Sequence, residues 1–258
     1  MKADRERWLR RFHPRDDAGV VLLCFPHAGG AASAYYALSA QAPPGIDVRV
    51  VQYPGRQERR TEPCVESVTG LAAGAVGALE PDGRPVAVFG HSMGALVAFE
   101  AARALEAGGA DVRGVFVSAR SAPCLRRTDK ALDEWPEEVV LAELAALGGA
   151  KGARLASEEI VRMMLPSLRS DYRALRGYRP ADDVRTASPI TAFVGDADPT
   201  TPVADAESWG RHTESAFALH VLEGGHFYLD DRLGAVLARI GADLARPPLT
   251  GQDAWSKV

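Results

Sequence analysis

The chain has 258 residues, 47% of them hydrophobic and 25% charged, which is typical of one large globular domain with a sizeable core. The formal net charge of −4 does not indicate a nucleic-acid partner, the charged N-terminal residues 1–17 lack the apolar segment of a secretory signal, and no run approaches the ~18 apolar residues of a membrane span. Cys24, Cys64 and Cys124 are widely spaced without a C-x-x-C pair, so we expect reduced thiols, no metal site and a cytoplasmic location.

Short apolar runs alternate along the chain with segments whose apolar residues have helical spacing. The predicted strands are Val20–Phe25, Val48–Gln52, Val86–Phe89, Val112–Val117, Ile190–Val194 and Ala218–Leu222. The predicted helices are Ala34–Ala40, Val65–Leu79, one that begins near Met93, and Tyr228–Leu244. Nearly all-apolar strands separated by helices favour an α/β fold with a mostly parallel sheet and helices on both faces.

Residues 120–188 interrupt this alternation because they contain no convincing strand. One helix is predicted to open at Pro136 and to stop at Gly148-Gly149, and another to open at Ser157. Pro166 is expected to kink the second helix or to divide it in two. We interpret 120–188 as a helical lid inserted into a core formed by 1–119 and 189–246, with 247–258 as a C-terminal tail. An ordinary packed subdomain without substrate contact is the alternative.

A candidate nucleophile lies between the strand at Val86–Phe89 and the helix that follows it. Gly90-His91-Ser92-Met93-Gly94 fits the pattern G-x-S-x-G in its expected strand–turn–helix context. In such a turn the serine is held in a strained conformation, and side chains at the two glycines would collide with the adjacent strand and helix. The spacing therefore predicts that Ser92 is the nucleophile. An incidental turn of small residues is the alternative.

A serine nucleophile needs a base and an acid that orients the base. His226 follows the last predicted strand on a glycine-rich loop, and "VGDADPTTP" follows the strand at Ile190–Val194. Asp198 lies further beyond that strand than Asp196, so we assign Asp198 as the acid and expect Asp196 to cap the turn. The order Ser92, Asp198, His226 is the one expected for this architecture. The remaining histidines are assigned structural, solvated or backbone-positioning roles: His13, His27, His91, His212 and His220.

Hydrolysis through a serine also needs hydrogen-bond donors for the negatively charged oxygen of the intermediate. One expected donor is the backbone N–H of Met93, the residue after the nucleophile. The other is expected in "FPHAGG", after the first predicted strand, and is assigned to Ala28. The two glycines that follow Ala28 would let the backbone approach the substrate closely.

The motifs "FPHAGG", "YPGRQER", "FGHSMGA", "GDADPTTP" and "GGHFYL" together resemble those of the type II thioesterases, which have the α/β-hydrolase fold. These are stand-alone editing enzymes of polyketide and nonribosomal peptide synthases. The similarity runs from about Val20 to Leu244. It implies Ser92 as nucleophile, His226 as base, Asp198 as acid, Met93 and Ala28 as oxyanion donors, and a mobile lid at 120–188.

The resemblance also implies the reaction. The expected substrate is an acyl or aminoacyl thioester on the phosphopantetheine arm of an acyl or peptidyl carrier protein. No metal or organic cofactor is expected, and the protein is expected to act as a monomer without nucleic-acid or membrane partners. Arg126, Arg127 and Lys130, or Arg169, Arg173 and Arg176, are candidates for a basic patch that docks an acidic carrier protein, with solvated side chains as the alternative.

Three other functions remain open from the sequence. A carboxylesterase or lipase would use the same serine, histidine and aspartate on free esters. A chain-terminating thioesterase would release a finished product, although that role usually belongs to a domain fused to a synthase. A non-catalytic binding protein with the hydrolase fold is the third alternative.

Overall fold

The computed structural model describes residues 6–125, 133–140, 142–143, 146–147 and 158–246. Their centre is a seven-stranded sheet whose spatial order is β1-β3-β2-β4-β5-β6-β7. Neighbouring strands are parallel, except that β1 is antiparallel to β3. The strands are β1 (Leu9–Arg10), β2 (Val20–Phe25), β3 (Ile46–Val51), β4 (Val86–His91), β5 (Val112–Ser118), β6 (Ile190–Gly195) and β7 (Phe217–Leu222).

Helices cover both faces of the sheet, as the alternation of elements predicts. They are α1 (Tyr36–Gln41), α2 (Val68–Ala78), α3 (Met93–Ala107), α4 (Glu158–Gly177), α5 (Val203–Glu207) and α6 (Leu229–Leu244). One core cluster joins α2 and α3 to their face of the sheet through residues such as Leu71 and Phe99. A second cluster joins α1 and α6 to the opposite face through Leu38 and Ile240. This burial on both faces explains why the central strands are almost entirely apolar.

Two parts of the sheet differ from the sequence-based expectation. The two-residue edge strand β1 was not predicted, because so short a strand has no alternating pattern. β3 begins at Ile46 rather than Val48, and its second residue is the charged Asp47. Asp47 is nevertheless buried, because Arg11 and Arg49 bind its carboxylate at 2.9 and 3.1 Å. A charged residue interrupts the apolar run from which a strand is predicted, so the predicted strand began after Asp47.

The helices differ from expectation mainly at their ends. A 3₁₀ helix at Ala32–Tyr35 precedes α1, and α2 begins after Ser67, whose hydroxyl accepts a hydrogen bond from Gly70 N–H at 3.2 Å. That N-cap bond places the start of α2 at Val68 rather than Val65. The short helix α5 was not predicted.

Helical structure also occupies much of the described part of residues 120–188. Residues 137–140 are helical, and α4 is one helix that continues through Pro166. The proline therefore does not divide the helix, and it lies at an exposed position. Gly148-Gly149, Ser157 and the tail 247–258 lie outside the described residues. The division into core and lid remains a prediction.

Candidate active site

Ser92 lies in a sharp turn between the last residue of β4 and the first residue of α3. Its backbone has φ 57° and ψ −121°, a strained conformation for a residue with a side chain. A Cβ atom at Gly90 would lie 1.9 Å from the carbonyl oxygen of Gly94, and one at Gly94 would lie 2.0 Å from the carbonyl oxygen of Phe25. Only glycine fits at both positions, so strand and helix can approach closely enough to hold Ser92 at the carboxyl edge of the sheet.

The structure brings the side chains of Ser92, His226 and Asp198 into one hydrogen-bonded chain. The Ser92 hydroxyl lies 3.0 Å from Nε2 of His226, and Nδ1 of the same ring lies 2.8 Å from Oδ2 of Asp198. The three residues follow β4, β7 and β6, whose carboxyl ends share one edge of the sheet. Such an arrangement fixes the imidazole tautomer that can accept the serine proton.

Asp198 lies in a buried and strongly hydrogen-bonded environment. Oδ1 accepts hydrogen bonds from the backbone N–H and the hydroxyl of Thr200, both at 2.8 Å, and from Thr201 N–H at 3.2 Å. Burial alone would raise the pKa of Asp198, but the hydrogen bonds from His226 and Thr200 outweigh it and hold the pKa below its usual range. The carboxylate therefore stays ionised beside the imidazole.

Thr200 is a residue of this site that the sequence reasoning missed. Its hydroxyl lies 2.9 Å from Nδ1 of His226 as well as beside Asp198. The sequence carried a signal for this contact. In "DPTTP" the aspartate can form an Asx turn, in which its side chain accepts a hydrogen bond from the backbone N–H two residues later.

Asp196 has a different place in the structure from Asp198. Its Oδ1 accepts a hydrogen bond from Gly224 N–H at 2.9 Å, so it ties the end of β6 to the glycine loop that precedes His226. A Cβ atom at Gly195 would lie 2.3 Å from the carbonyl oxygen of Gly224. The close approach of these two loops sets the position of the imidazole.

Both predicted oxyanion donors lie near the turn that carries Ser92. Met93 is the first residue of α3, so its N–H has no acceptor within the helix. Ala28 follows β2, whose last residue, Phe25, contacts the start of α3 at Gly94. Within the described part of the chain, the structure gives the Ala28 N–H no backbone acceptor, whereas Gly30 N–H bonds to the carbonyl oxygen of His27 at 2.9 Å.

His91 packs against the imidazole of His226 with ring centroids 5.3 Å apart, and His27 packs against His91 at 6.2 Å. Nδ1 of His91 lies 2.8 Å from the Ser118 hydroxyl, which lies 2.5 Å from the hydroxyl of Tyr228. Burial, followed by the neighbouring His226 and His27, lowers the pKa of His91 well below its usual value. Burial also lowers the pKa of His27 to about 4, with smaller contributions from His226 and Arg56. Both rings are therefore neutral near pH 7.

The structure also bears on metal ligands, cysteines and membrane-spanning helices. Across the residues that the structure describes, no group of three or more His, Cys, Asp or Glu side chains is arranged to hold a metal ion. The three cysteines form no disulfide. None of the described helices combines the length and the hydropathy needed to cross a bilayer.

Comparisons with known proteins show the family of the chain. The family model for the thioesterase domain matches residues 21–244. Thioesterase PikA5 of Streptomyces venezuelae is 44% identical over 236 residues, which cover 90% of this chain and 83% of that protein. A probable cadicidin biosynthesis thioesterase of Streptomyces griseus is 46% identical over 239 residues; the match covers 92% of this chain and 66% of that relative's length.

Solved structures agree at the level of the fold. The type II thioesterase BorB, from the borrelidin biosynthetic cluster, superposes with a TM-score of 0.84 at 41% identity, over 92% of this chain and 97% of that one. RedJ, a thioesterase from the prodiginine pathway of Streptomyces coelicolor, superposes with a TM-score of 0.82 at 34% identity, over 90% of this chain and 88% of that one. The chain therefore belongs to the thioesterase family and has its α/β-hydrolase fold.

Proposed function

We propose that this protein hydrolyses acyl or aminoacyl thioesters carried on the phosphopantetheine arm of a carrier protein, and so removes unwanted acyl groups from a polyketide or nonribosomal peptide synthase. The observation that carries the proposal is the continuous chain from the Ser92 hydroxyl through His226 to Asp198, with distances of 3.0 and 2.8 Å. The membership of the thioesterase family supports a thioester as the bond that is cleaved.

In the first half of the proposed reaction, Ser92 Oγ attacks the thioester carbonyl while Nε2 of His226 accepts the hydroxyl proton. The N–H groups of Met93 and Ala28 stabilise the negative charge that develops on the carbonyl oxygen. The C–S bond then breaks, and the pantetheine thiol leaves with the proton from His226. A thiol is a far better leaving group than an alkoxide, so this step depends less on protonation.

In the second half, water attacks the acyl group on Ser92, and His226 again accepts a proton. The C–O bond to Ser92 breaks, the proton returns to the serine oxygen, and the free acid departs. Asp198 remains ionised throughout and stabilises the imidazolium that forms twice in each cycle. Every step uses groups of this chain and water, so the proposed mechanism requires no metal or organic cofactor.

The names of the relatives support the carrier-bound substrate. PikA5 is named a thioesterase, BorB is described as a type II thioesterase from a biosynthetic cluster, and YbtT as a type II thioesterase from a nonribosomal peptide and polyketide pathway. A carboxylesterase or lipase acting on free esters is the second candidate, because the Ser92–His226–Asp198 arrangement serves both chemistries equally.

Two groups of basic residues are the predicted candidates for the surface that docks the carrier protein. Arg173 and Arg176 of α4 are ion-paired with Glu66 and Asp133, both at 2.6 Å, and Arg169 donates to the carbonyl oxygen of Trp135 at 3.0 Å. These contacts engage the three arginines with groups of the protein itself, which counts against this group as a free basic patch. The other candidates, Arg126, Arg127 and Lys130, lie outside the described residues.

A carrier protein loaded with a panel of acyl groups provides the test. We expect the wild-type protein to release the acyl groups and Ser92→Ala to lose the activity. We also expect acyl-carrier substrates to be preferred over p-nitrophenyl esters of the same acyl chains. A strong preference for the free esters would establish the esterase alternative, and full hydrolysis by Ser92→Ala would overturn the proposed role of the serine.

A further inference from the structure

A buried ion pair lies beside the candidate oxyanion donor Ala28, outside the Ser92–His226–Asp198 chain. Arg56, in the turn after β3, donates from one guanidinium nitrogen to both carboxylate oxygens of Asp171 on α4. The exposed fractions of the two side chains are only 3% and 0%. Removing two charges from water is costly, so a buried pair is weak evidence of a stabilising role by itself.

Both members of the pair also bind the backbone of the loop that carries Ala28. Gly29 N–H donates to Oδ2 of Asp171 at 2.7 Å, and Nε of Arg56 donates to the carbonyl oxygen of Gly30 at 3.1 Å. The pair therefore fixes one donor and one acceptor in the two residues directly after Ala28. Hydrogen bonds to a carboxylate or a guanidinium are stronger than those between neutral groups.

Gly29 and Gly30 connect the ion pair to the peptide unit that carries the Ala28 N–H. Gly29 has φ +71°, a left-handed conformation that glycine adopts about as readily as one with negative φ. Gly30 N–H donates to the carbonyl oxygen of His27 at 2.9 Å, and that carbonyl belongs to the same planar peptide unit as the Ala28 N–H. A shift of the two glycines would therefore move the donor. A hydrogen-bond donor stabilises an oxyanion only if it is held at the correct place before the reaction begins.

Side chains of α4 reinforce the contact with this loop. Leu165 and Leu168 form a small apolar cluster with Val140, and Ala28 packs against it. A Cβ atom at Gly29 would lie 3.0 Å from Cδ1 of Leu168. The helix that carries Asp171 therefore lies directly on the loop that carries the donor.

We propose that Arg56 and Asp171 are positioning residues that hold the Ala28 N–H in place for the reaction, so that the seating of α4 on the core completes the oxyanion site. This inference rests on the proposed hydrolysis through Ser92. It makes α4 a structural part of the reacting site rather than only a cover over it. The pair touches the loop backbone and acts on the substrate through Ala28.

The test compares, in three variants, the affinity for an analogue of the transition state with the affinity for the product. Asp171→Asn keeps an oxygen acceptor for Gly29 N–H but loses the charge, and Arg56→Lys keeps the charge but loses the donor to Gly30. Tyr178→Phe is the matched control, since it removes the half-buried 2.6 Å hydrogen bond between Tyr178 and Glu100 of α3 without touching the loop. The measurements are kcat and KM on a short-chain acyl thioester, inhibition by an alkyl trifluoromethyl ketone, and binding of the free carboxylic acid product.

We expect Asp171→Asn and Arg56→Lys to lower kcat by about 10- to 100-fold, less than the roughly 10²–10³-fold loss on removing an oxyanion donor outright. The affinity for the trifluoromethyl ketone, which forms an oxyanion on Ser92, should fall in parallel. KM and product binding should stay within about threefold, since they do not require the oxyanion. Tyr178→Phe should change kcat by less than about twofold. The double variant should cost no more than the worse single variant, because the pair acts as one unit.

Folded variants with wild-type kcat and wild-type ketone affinity would overturn the inference. Equal losses of ketone and product binding would also overturn it, because they indicate general damage to the site. Should Asp171→Asn fail to fold, Arg56→Lys gives the same readout. A wild-type protein that does not cleave thioesters would defeat the proposed function alone, since the ketone reports on the oxyanion site directly.

Discussion

The two sides of the candidate active site are held in place by different kinds of contact. Around Ser92 and His226, backbone approaches backbone so closely that glycine is required at Gly90, Gly94 and Gly195. Around Ala28, a glycine-containing loop is held by side chains from distant parts of the chain, above all the pair of Arg56 and Asp171. By our proposal, the nucleophile side is therefore fixed by the packed core, whereas the oxyanion side depends on how α4 is seated.

The largest expected effect is on the nucleophile side. Asp198→Asn should lower kcat by roughly 10⁴-fold, the cost of the corresponding change in a serine protease, because the imidazole loses the partner that fixes its tautomer. Thr200→Val should cost much less, about tenfold, because it removes one of the three hydrogen bonds to Oδ1 of Asp198 and leaves the carboxylate in place. Steady-state kinetics on one acyl thioester compares the two variants. Equal losses would show that Thr200, rather than the charge of Asp198, sets the orientation of His226.

Glycine-to-alanine substitutions compare the two sides directly. Gly94→Ala should reduce the free energy of unfolding by roughly 3 kcal/mol or more, because the new Cβ would lie 2.0 Å from a backbone oxygen. Gly29→Ala should cost about 1–2 kcal/mol for its positive φ, since the facing Leu168 side chain can move aside. Gly77→Ala, in the open on α2, should stabilise the protein by about 1 kcal/mol.

Urea denaturation of the three glycine variants provides the measurement. Gly29→Ala should also lose activity under conditions in which the variant is still folded, since the substitution displaces the loop that carries Ala28. If Gly29→Ala were as damaging to folding as Gly94→Ala, the difference between the two sides would not exist.

The last comparison concerns pH, and both sides contribute a buried histidine. The pKa of His27 is about 4 and that of His91 is well below its usual value, whereas an unfolded chain protonates histidine near pH ~6.5. The unfolded state therefore binds more protons below that pH, and the free energy of unfolding falls as the pH drops from 6.5 toward 4. Burial raises the pKa of Asp171, which acts in the opposite sense nearer the acidic end.

Urea midpoints at pH 7.5, 6 and 5 measure this dependence. Carboxylates whose pKa is lowered, such as Asp198 and Glu62, reduce the free energy of unfolding only below about pH 4.5, where they become protonated. The interval from pH 6.5 to 5 therefore reports mainly on histidines. His27→Gln should reduce the slope in that interval. A midpoint that stays constant from pH 7.5 to 5 would contradict the buried neutral state of these rings.

The nucleophile side was accessible from the sequence because its contacts are local to short motifs. Gly90 and Gly94 flank Ser92 in one pentapeptide, and Asp198 and His226 lie three and four residues beyond the ends of β6 and β7. The central strands were accessible for the same reason, since burial on both faces gives continuous apolar runs. The geometry agrees with these expectations to within one or two residues at most strand ends.

The oxyanion side was much less accessible. Arg56 and Asp171 are 115 residues apart, and single-sequence patterns carry no signal for a pairing over that distance. A charged residue is also predicted to lie on the surface unless its buried partner is known, as Asp47 in β3 shows. Pro166 predicted a kinked or divided helix, whereas α4 continues through the proline, which lies at an exposed position.

The most direct measurement mixes the protein with an excess of acyl-loaded carrier protein, quenches the reaction within milliseconds and determines the mass of each peptide. An acyl group on the peptide that contains Ser92 should form before free acid accumulates, and it should be absent from Ser92→Ala, which should leave the carrier loaded. An adduct on another residue, or release of the acid by Ser92→Ala at the wild-type rate, would show that the hydrogen-bonded chain from Ser92 to Asp198 does not perform the reaction.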